Sequence, residues 1–298
     1  MSDLPKISGF TFIKNGIELG YPFVESIKSL ELLCDEIIIN VGFDGKDLKK
    51  DDGTFELVSD LFKGPKFKII KSWWDPEKTT AGLILSEQTN IALGYCSGEY
   101  CQYLQGDEVL HENDIDLIRK SIVEMEKRNE VEGLVFNYTH FYGNVDIVKY
   151  TRNVYRREVR LFRNNMGIKS WLDAQGFKTI GDKKLNCIQT SASIFHYGWA
   201  RKEAVMQIKV NSFGKLYHGK SHEDNSFSYK RIWGLRPFKG SHPLVMNKWI
   251  TKNMNSLDIM SLKLDFKLRD LGLVFSDYLE KLTGHRFGEY KNYKMLKD

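Results

Sequence analysis

The chain has 298 residues, of which 42% are hydrophobic and 13% aromatic, enough to bury the core of one large domain or two small ones. Its 44 basic and 39 acidic residues leave a net charge of only +5, which argues against a nucleic acid as the main partner. No apolar run approaches the roughly 20 residues needed to cross a bilayer, and the N-terminus lacks a signal-peptide pattern, so we expect a cytoplasmic protein. We expect reduced, mostly buried thiols, because no CxxC spacing occurs among Cys34, Cys96, Cys101 and Cys187.

The first half of the chain alternates between apolar, β-rich segments and segments with helical spacing. The predicted strands are 7–13, 36–41, 66–71, 100–104 and 132–141, and the predicted helices are 18–34, 86–95 and 114–128. This order predicts an α/β fold with a Rossmann-like, mostly parallel central sheet flanked by helices.

Beyond this region the sequence is less regular and more basic. Segment 146–169 contains seven basic residues and two acidic ones, so positive charge is concentrated where a ligand could use it. Helical patterns return at 257–271 and 274–282, before a polar tail. We therefore expect a main domain at 1–240 and a C-terminal helical extension at 241–298.

An acidic pair, Asp107-Glu108, directly follows the predicted strand 100–104. Ligands of parallel α/β sheets bind outside the carboxyl ends of strands, where loops converge and helix N-termini point inward. A carboxylate there can hold a hard divalent cation that bridges two phosphate oxygens. A solvated Asp-Glu turn is the alternative interpretation.

The stretch upstream, SEQTNIALGYCSGEYCQYLQGDEV at 86–109, resembles the central motif of the inverting family 2 glycosyltransferases: Arg-Asn, a helix, Ala-x-Gly-Glu-Tyr, an apolar strand and Asp-x-Asp. The positions that match this spacing are Asn90, Gly98, Glu99, Tyr100, Leu104 and Asp107. Segment 10–47 is similar to that family's opening strand, Asn-containing turn, helix, second strand and Gly/Asp loop. Over roughly residues 8–205 the chain thus resembles GT-A-fold enzymes that build bacterial surface polysaccharides and lipopolysaccharide cores.

The resemblance implies a nucleotide-sugar site. The residues expected to contact the donor here are Asn15, Asn40, Gly42, Asp44, Asn90 and Gln105. The family's first motif aspartate is Gln105 in this chain, so only Asp107 offers a carboxylate to Mn²⁺ or Mg²⁺, and we expect weaker metal binding. Gln105 could still offer its amide oxygen to the ribose or to a metal-bound water. A plain strand-ending turn is the alternative for Gly42.

A further implied ligand lies in SIFHYGWARKEAVM, residues 193–206. His196 is the expected second metal or diphosphate ligand, and Arg201 or Lys202 would contact the leaving phosphate. A structural histidine is the alternative.

The stretch 155–177 resembles the Arg-Leu-Phe-Arg region of glycosyltransferases that build lipopolysaccharide cores. Arg156, Arg160 and Arg163 are expected to neutralise the diphosphate, although such arginines also form solvated ion pairs. Asp173 matches the acid on the acceptor side and is the predicted catalytic base. A turn aspartate is the alternative, and Glu223 or Asp224 would then be the base.

Most aromatic residues of this region are expected to pack in the core, and Tyr142 and Trp171 are the candidates for an acceptor platform. The predicted activity is metal-assisted, inverting transfer of a sugar from a UDP-, GDP- or dTDP-sugar donor to a hydroxyl of a glycan or glycolipid. A non-catalytic nucleotide-sugar or glycan-binding protein is the first alternative, and a sugar-1-phosphate nucleotidylyltransferase is the second. The basic tail is compatible with a peripheral contact at the inner face of a membrane.

Overall fold

The structure is a computed structural model that describes residues 5–78, 80–218, 226–289 and 291–297. The strands are β1 (Ile7–Ile13), β2 (Glu36–Phe43), β3 (Phe67–Trp73), β4 (Tyr100–Tyr103), β5 (Glu108–Leu110), β6 (Gly133–Tyr142), β7 (Asn144–Lys149), β8 (Arg157–Arg163), β9 (Lys169–Ser170), β10 (Phe177–Lys178), β11 (Leu185–Trp199), β12 (Leu235–Pro237) and β13 (Tyr293–Met295). The helices are α1 (Phe23–Leu30), α2 (Thr54–Leu61), α3 (Leu83–Leu93), α4 (Ile115–Glu126), α5 (Glu203–His218), α6 (Asn247–Asn253) and α7 (Leu271–Thr283).

Four parallel strands form the N-terminal half of the central sheet, in the order β3-β2-β1-β4. The strand β2 is buried along almost its whole length because helices cover both faces of the sheet. Ile37 and Ile39 belong to the core cluster that includes α1 and α4, whereas Ile38 belongs to the cluster that includes α3. The α/β class with a parallel, helix-flanked sheet is confirmed.

The other half of the sheet is mixed. The strand β8 pairs antiparallel with both β4 and β6, and β6 runs parallel to the long strand β11. The short strand β5 joins β11 in antiparallel register, with His196 opposite Glu108. This register connects the segment after β4 to the second half of the sheet.

Two predicted helices differ from the structure. The segment 18–34 is helical only from Phe23. Pro22 disfavours helical backbone for the residue before it, so the helix begins directly after the proline. The segment 257–271 contains 3₁₀ turns at 259–261 and 268–270 instead of an α-helix. Its Leu-x-Leu-x-Phe-x-Leu alternation has a period of two residues, which suits extended backbone rather than a helix.

The C-terminal segment contains the predicted helix 274–282 within α7, but it is not helical throughout. Its last strand, β13, pairs in parallel with β11 and so belongs to the central sheet. The domain boundary at residue 240 stays a prediction. None of the helices in the described ranges has the length and apolarity to span a bilayer, and the four cysteines are free thiols.

A buried ion pair connects β5, which follows β4 in the chain, to β8. Arg160 on β8 and Glu108 on β5 are both fully buried, and the guanidinium donates from Nε and Nη2 to the two carboxylate oxygens at 2.9 and 2.8 Å. The same carboxylate accepts hydrogen bonds from the Tyr138 hydroxyl and from the Gln105 backbone N–H. Nη1 of Arg160 donates to the backbone carbonyl of Gln175 at 2.8 Å. Glu108 is therefore a buried structural residue, not part of a solvated turn.

We predict that Arg160→Met lowers the free energy of unfolding by about 3 to 5 kcal/mol, because it leaves the Glu108 carboxylate buried without its partner. Arg157→Met is the matched control. Arg157 lies on the same strand but is partly exposed, so this substitution should lower the free energy of unfolding by less than about 1 kcal/mol. Urea denaturation of both variants is the measurement. Equal losses for the two variants would show that the pair does not hold β5 and β8 together.

Candidate functional site

A cleft of about 580 Å³ lies at the carboxyl ends of the four parallel strands. Each of these strands contributes a side chain just beyond its end: Asn15 after β1, Asp44 after β2, Trp74 after β3 and Asp107 after β4. In the order β3-β2-β1-β4, the strand connections diverge between β1 and β4, and this topological switch point is where α/β sheets bind ligands. The helix α5 contributes to the cleft lining through Lys209 and Phe213.

Asp107 is fixed by its neighbours on both sides. Its carbonyl accepts a hydrogen bond from the Tyr197 backbone N–H at 2.9 Å, which extends the β5–β11 pairing to the cleft. Only 7% of the residue is exposed. Its carboxylate lies 3.6 Å from Nε2 of His196 and 3.4 Å from Nζ of Lys209.

The tautomer of His196 follows from its hydrogen bonds. His140 lies beside it in the β6–β11 register, and its Nε2 donates to the backbone carbonyl of Tyr155 at 2.6 Å. Burial and the neighbouring His196 hold the pKa of His140 well below its usual value, so His140 is neutral and its Nδ1 accepts. Nδ1 of His196, 3.0 Å away, is then the donor. Nε2 of His196 is then the ring nitrogen on the side of Asp107.

Positive charge surrounds the Asp107 carboxylate. Burial opposes its charged form, but His196, Lys209 and Arg201 outweigh this effect and hold the pKa of Asp107 well below its usual range. Burial and the nearby Arg201 lower the pKa of Lys209 to about 7, and its Nζ also donates to the Gly198 carbonyl at 2.8 Å. The centre of the cleft thus favours an anionic ligand.

Asp173 reaches the same cleft from the loop between β9 and β10. The residues on both sides of it, Leu172 and Ala174, have positive φ angles of 48° and 59°, a strained conformation for non-glycine residues. Two contacts hold this loop: Arg160 donates to the Gln175 carbonyl, and the Gln105 amide donates to the Ala174 carbonyl at 3.4 Å. The strain is therefore held in place by residues that also fix the loop of Asp107.

Polar side chains also line the end of the cleft beside β1 and β2. Lys14 forms an ion pair of 2.6 Å with Asp44 and also donates to the side chain of Asn15. Trp74 and Phe12 line the cleft nearby, with ring centroids 6.2 Å apart. Together these groups offer hydrogen-bonding atoms beside an aromatic surface, which suits a ring-containing ligand.

Six of the predicted residues therefore lie together in the cleft: Asn15, Asp44, Gln105, Asp107, Asp173 and His196. Gly42 lies behind Lys14 and Trp74, where an added Cβ would approach them to 3.2 and 3.3 Å. Arg201 is buried, with its guanidinium donating to the carbonyls of Leu19 and Gly198, and it acts on the cleft through its charge.

The predictions for the three arginines need correction, because other partners occupy their guanidinium groups. Arg156 pairs with Glu280 and Glu289, and Arg160 pairs with Glu108. Arg163 pairs with Glu126 and donates to two backbone carbonyls. None of the three lines the cleft.

Further predicted residues also lie elsewhere. The amide of Asn40 is buried against Gln88, and the side chain of Asn90 exchanges two hydrogen bonds with the backbone of Ser170. The ammonium of Lys202 donates to the Lys252 carbonyl.

The two acceptor-platform candidates are not among the residues that line the cleft. The ring of Tyr142 packs edge-on against Tyr229, and the ring of Trp171 is covered by the ammonium of Lys178 at 3.4 Å. The reserve bases Glu223 and Asp224 lie outside the described residues.

Among the described residues, no group of three or more His, Cys, Asp or Glu side chains is close enough to hold a metal ion. Oδ1 of Asp107 and Nε2 of His196 nevertheless form a candidate two-ligand set, with 3.6 Å between the two atoms. Such a pair fits a divalent cation that takes its remaining ligands from phosphate oxygens and water. The Lys209 ammonium at the same carboxylate weakens this fit, since it already neutralises the charge.

Lys209 is the main residue that sequence reasoning missed. It occupies the apolar stripe of α5 formed by Met206, Val210 and Phe213, and like Met206 it is buried. The sequence did contain a signal for this residue, because the helical period places this lysine on the buried face of α5.

No protein-family model matches this sequence. No curated protein matches it either. Solved structures of TarS from S. aureus are similar to part of the chain. The TarS fragment 1–349 aligns with 72% of this chain and 66% of that chain at 13% identity, with a TM-score of 0.37. The same fragment in complex with UDP aligns with 53% and 46% at 14% identity and a TM-score of 0.33. In complex with UDP-GlcNAc it aligns with 53% and 45% at 15% identity and a TM-score of 0.34.

This chain thus spans less than two thirds of the length of each of these TarS chains. At these identities and TM-scores, the similarity establishes neither a family nor an activity for this protein.

The close approach of Asp107 and His196 requires the glycine at 198. A Cβ built there would lie 2.6 Å from both Oδ2 of Asp107 and Nε2 of His196. We predict that Gly198→Ala displaces both side chains and lowers the free energy of unfolding by about 1 to 3 kcal/mol. Gly106→Ala, in the loop before Asp107, is the control, because its Cβ would meet Phe23 and Ile13 at ordinary distances of 3.6 and 3.9 Å. Chemical denaturation that finds no difference between the two variants would contradict the assignment.

Proposed function

We propose that the protein is a glycosyltransferase that moves a sugar from a nucleoside diphosphate sugar to a hydroxyl of a glycan or glycolipid. The observation that carries the proposal is that one cleft, at the switch point of the parallel sheet, contains two carboxylates in different surroundings besides Asp44, which is paired with Lys14. Asp107 is held in an electropositive environment, and Asp173 projects from a strained loop. Such a pair suits binding of a leaving diphosphate at one carboxylate and proton removal at the other.

On this proposal the diphosphate lies beside Asp107, His196 and Lys209. A Mn²⁺ or Mg²⁺ ion held by Asp107 and His196 would supply charge neutralisation to the phosphate oxygens. Lys209 provides a positive charge at the same place, so we propose that activity depends only partly on metal. The base and ribose of a UDP, GDP or dTDP moiety would use Asn15, Asp44 and the aromatic surface of Trp74.

In the transfer step, Asp173 removes the proton of the acceptor hydroxyl as its oxygen forms a bond to the anomeric carbon. The bond from that carbon to the diphosphate oxygen breaks, and the electron pair leaves with the nucleoside diphosphate. Lys209 and Arg201 stabilise the charge that develops there. Attack from the side opposite the leaving group gives inversion at the anomeric carbon, as in the family that the sequence resembles.

The donor site is tested by thermal denaturation with UDP, GDP, dTDP and CMP, each with and without Mn²⁺. We expect one nucleotide to raise the melting temperature by about 5 °C at roughly hundredfold excess over its Kd. Asp107→Asn should remove the metal-dependent part of this shift, whereas Asp116→Asn on the exposed face of α4 should leave it unchanged. A wild-type protein that no nucleotide stabilises would overturn the donor-site assignment.

The role of Asp173 is tested by the release of nucleoside diphosphate from the sugar donor that the binding experiment selects. Asp173→Asn should lower the rate by about 10² to 10⁴-fold and keep nucleotide binding, because the amide cannot accept the proton. Asp182→Asn, in an exposed turn, is the control. If Asp173→Asn retains the wild-type rate, Asp173 is not the base. If the wild-type protein binds a nucleotide but never releases diphosphate, it is a non-catalytic binding protein.

A further inference from the structure

The helix α7 presents an apolar stripe to solvent, far along the chain from the cleft residues. Five side chains, called here the α7 face, repeat at intervals of three and four residues and are 55 to 87% exposed: Leu268, Leu271, Phe275, Tyr278 and Leu282. Within α7 this spacing places the last four on one side of the helix, over a length of about 17 Å, and Leu268 lies in the 3₁₀ turn directly before it. No described residue buries this stripe, and exposed apolar patches of this kind mark interaction surfaces.

The segment that leads into α7 extends this exposed apolar character. Leu264 and Phe266 are 38% and 41% exposed and alternate with the exposed Lys263 and Lys267. Phe266 also packs its ring edge-on against Trp233, which anchors the segment to the body of the protein. Apolar side chains interleaved with lysines are typical of a surface that lies at a bilayer interface.

The acidic side chains of this region are occupied within the protein. Glu280 pairs with Arg156 and Arg286, and Asp277 accepts a hydrogen bond from the Trp233 indole at 2.8 Å. Asp270 accepts from the backbone N–H of Lys267, and Asp265 lies 3.6 Å from the Lys230 ammonium.

The basic side chains of the same region face solvent. Lys263, Arg269 and Lys281 are exposed and form no ion pair among the described residues. The α7 face is therefore an apolar stripe with three exposed basic side chains around it, whereas the nearby acids lie in ion pairs or accept hydrogen bonds from within the protein.

We propose that the α7 face binds the surface of an anionic membrane, with the helix lying in the interface plane. A second copy of this chain is the competing occupant, since spacing of three and four residues also suits packing of two helices. A symmetric contact would place the same lysines and arginine of both copies next to one another, which is unfavourable. Anionic lipid matches both features of the surface, because it accepts the apolar side chains and attracts the basic ones.

Co-sedimentation with phosphatidylcholine vesicles, with and without phosphatidylglycerol, tests the proposal. We expect the wild-type protein to bind the vesicles that contain phosphatidylglycerol and to be released as salt is raised. Phe275→Asp combined with Leu282→Asp should weaken the partition by at least about tenfold. Lys281→Glu should weaken it less. Ile180→Asp is the matched control, because Ile180 is 75% exposed in a separate turn.

Three results would overturn the proposal: no binding to anionic vesicles, equal binding without phosphatidylglycerol, or unchanged binding by the double variant. Light scattering after size-exclusion chromatography tests the competing occupant, a second copy of this chain. A dimer that the double variant dissociates, together with no vesicle binding, would assign the face to a second copy.

The substituted residues lie at the surface, so both variants should retain the wild-type melting temperature. Nucleotide-induced stabilisation, measured in parallel, is independent of this face and keeps failure of the membrane contact distinct from failure of the donor site.

Discussion

The ion pair between Arg160 and Glu108 is the interaction on which the rest of the site depends. Both charges are fully buried, so either one would be strongly destabilising without the other. The bidentate contact and the additional hydrogen bonds to both side chains offset the loss of hydration. The pair also positions two loops, since Glu108 accepts from the Gln105 backbone and Arg160 donates to the Gln175 carbonyl. These loops carry Asp107 and Asp173, two of the three carboxylates that line the cleft. One buried contact between β5 and β8 thus fixes both sides of the proposed reaction.

This arrangement also determines the charge of the cleft. Because Glu108 is neutralised in the core, Asp107 is the carboxylate of the acidic pair that reaches the cleft, and it is balanced by Lys209 and by the buried Arg201. The centre of the cleft therefore favours an anionic ligand. A divalent cation would have two protein ligands there and would depend on the oxygens of that ligand for the remainder.

The sequence predicted the parts of this structure that depend on local pattern. The strands β1 to β4 follow from short apolar runs, and the position of Asp107 follows because it comes directly after one of them. The arginines could not be predicted in the same way. A strand residue faces either the core or the cleft according to register, and the acids that bind Arg156 are more than 120 residues away along the chain. The role of Lys209 was not predicted because it depends on burial beside Asp107, which lies 102 positions away along the chain.

The histidine beside Asp107 shows how such distant contacts decide chemistry. His196 and His140 come together through the pairing of β11 with β6, and the Tyr155 carbonyl that orients His140 comes from the segment just before β8. The pairing becomes irregular between His196 and Trp199, where Gly198 allows the backbone to pass close to Asp107. Since Tyr155 fixes the proton on Nε2 of His140, it indirectly places a proton on Nδ1 of His196. The ring orientation that turns Nε2 of His196 toward Asp107 thus depends on a backbone carbonyl that does not contact His196.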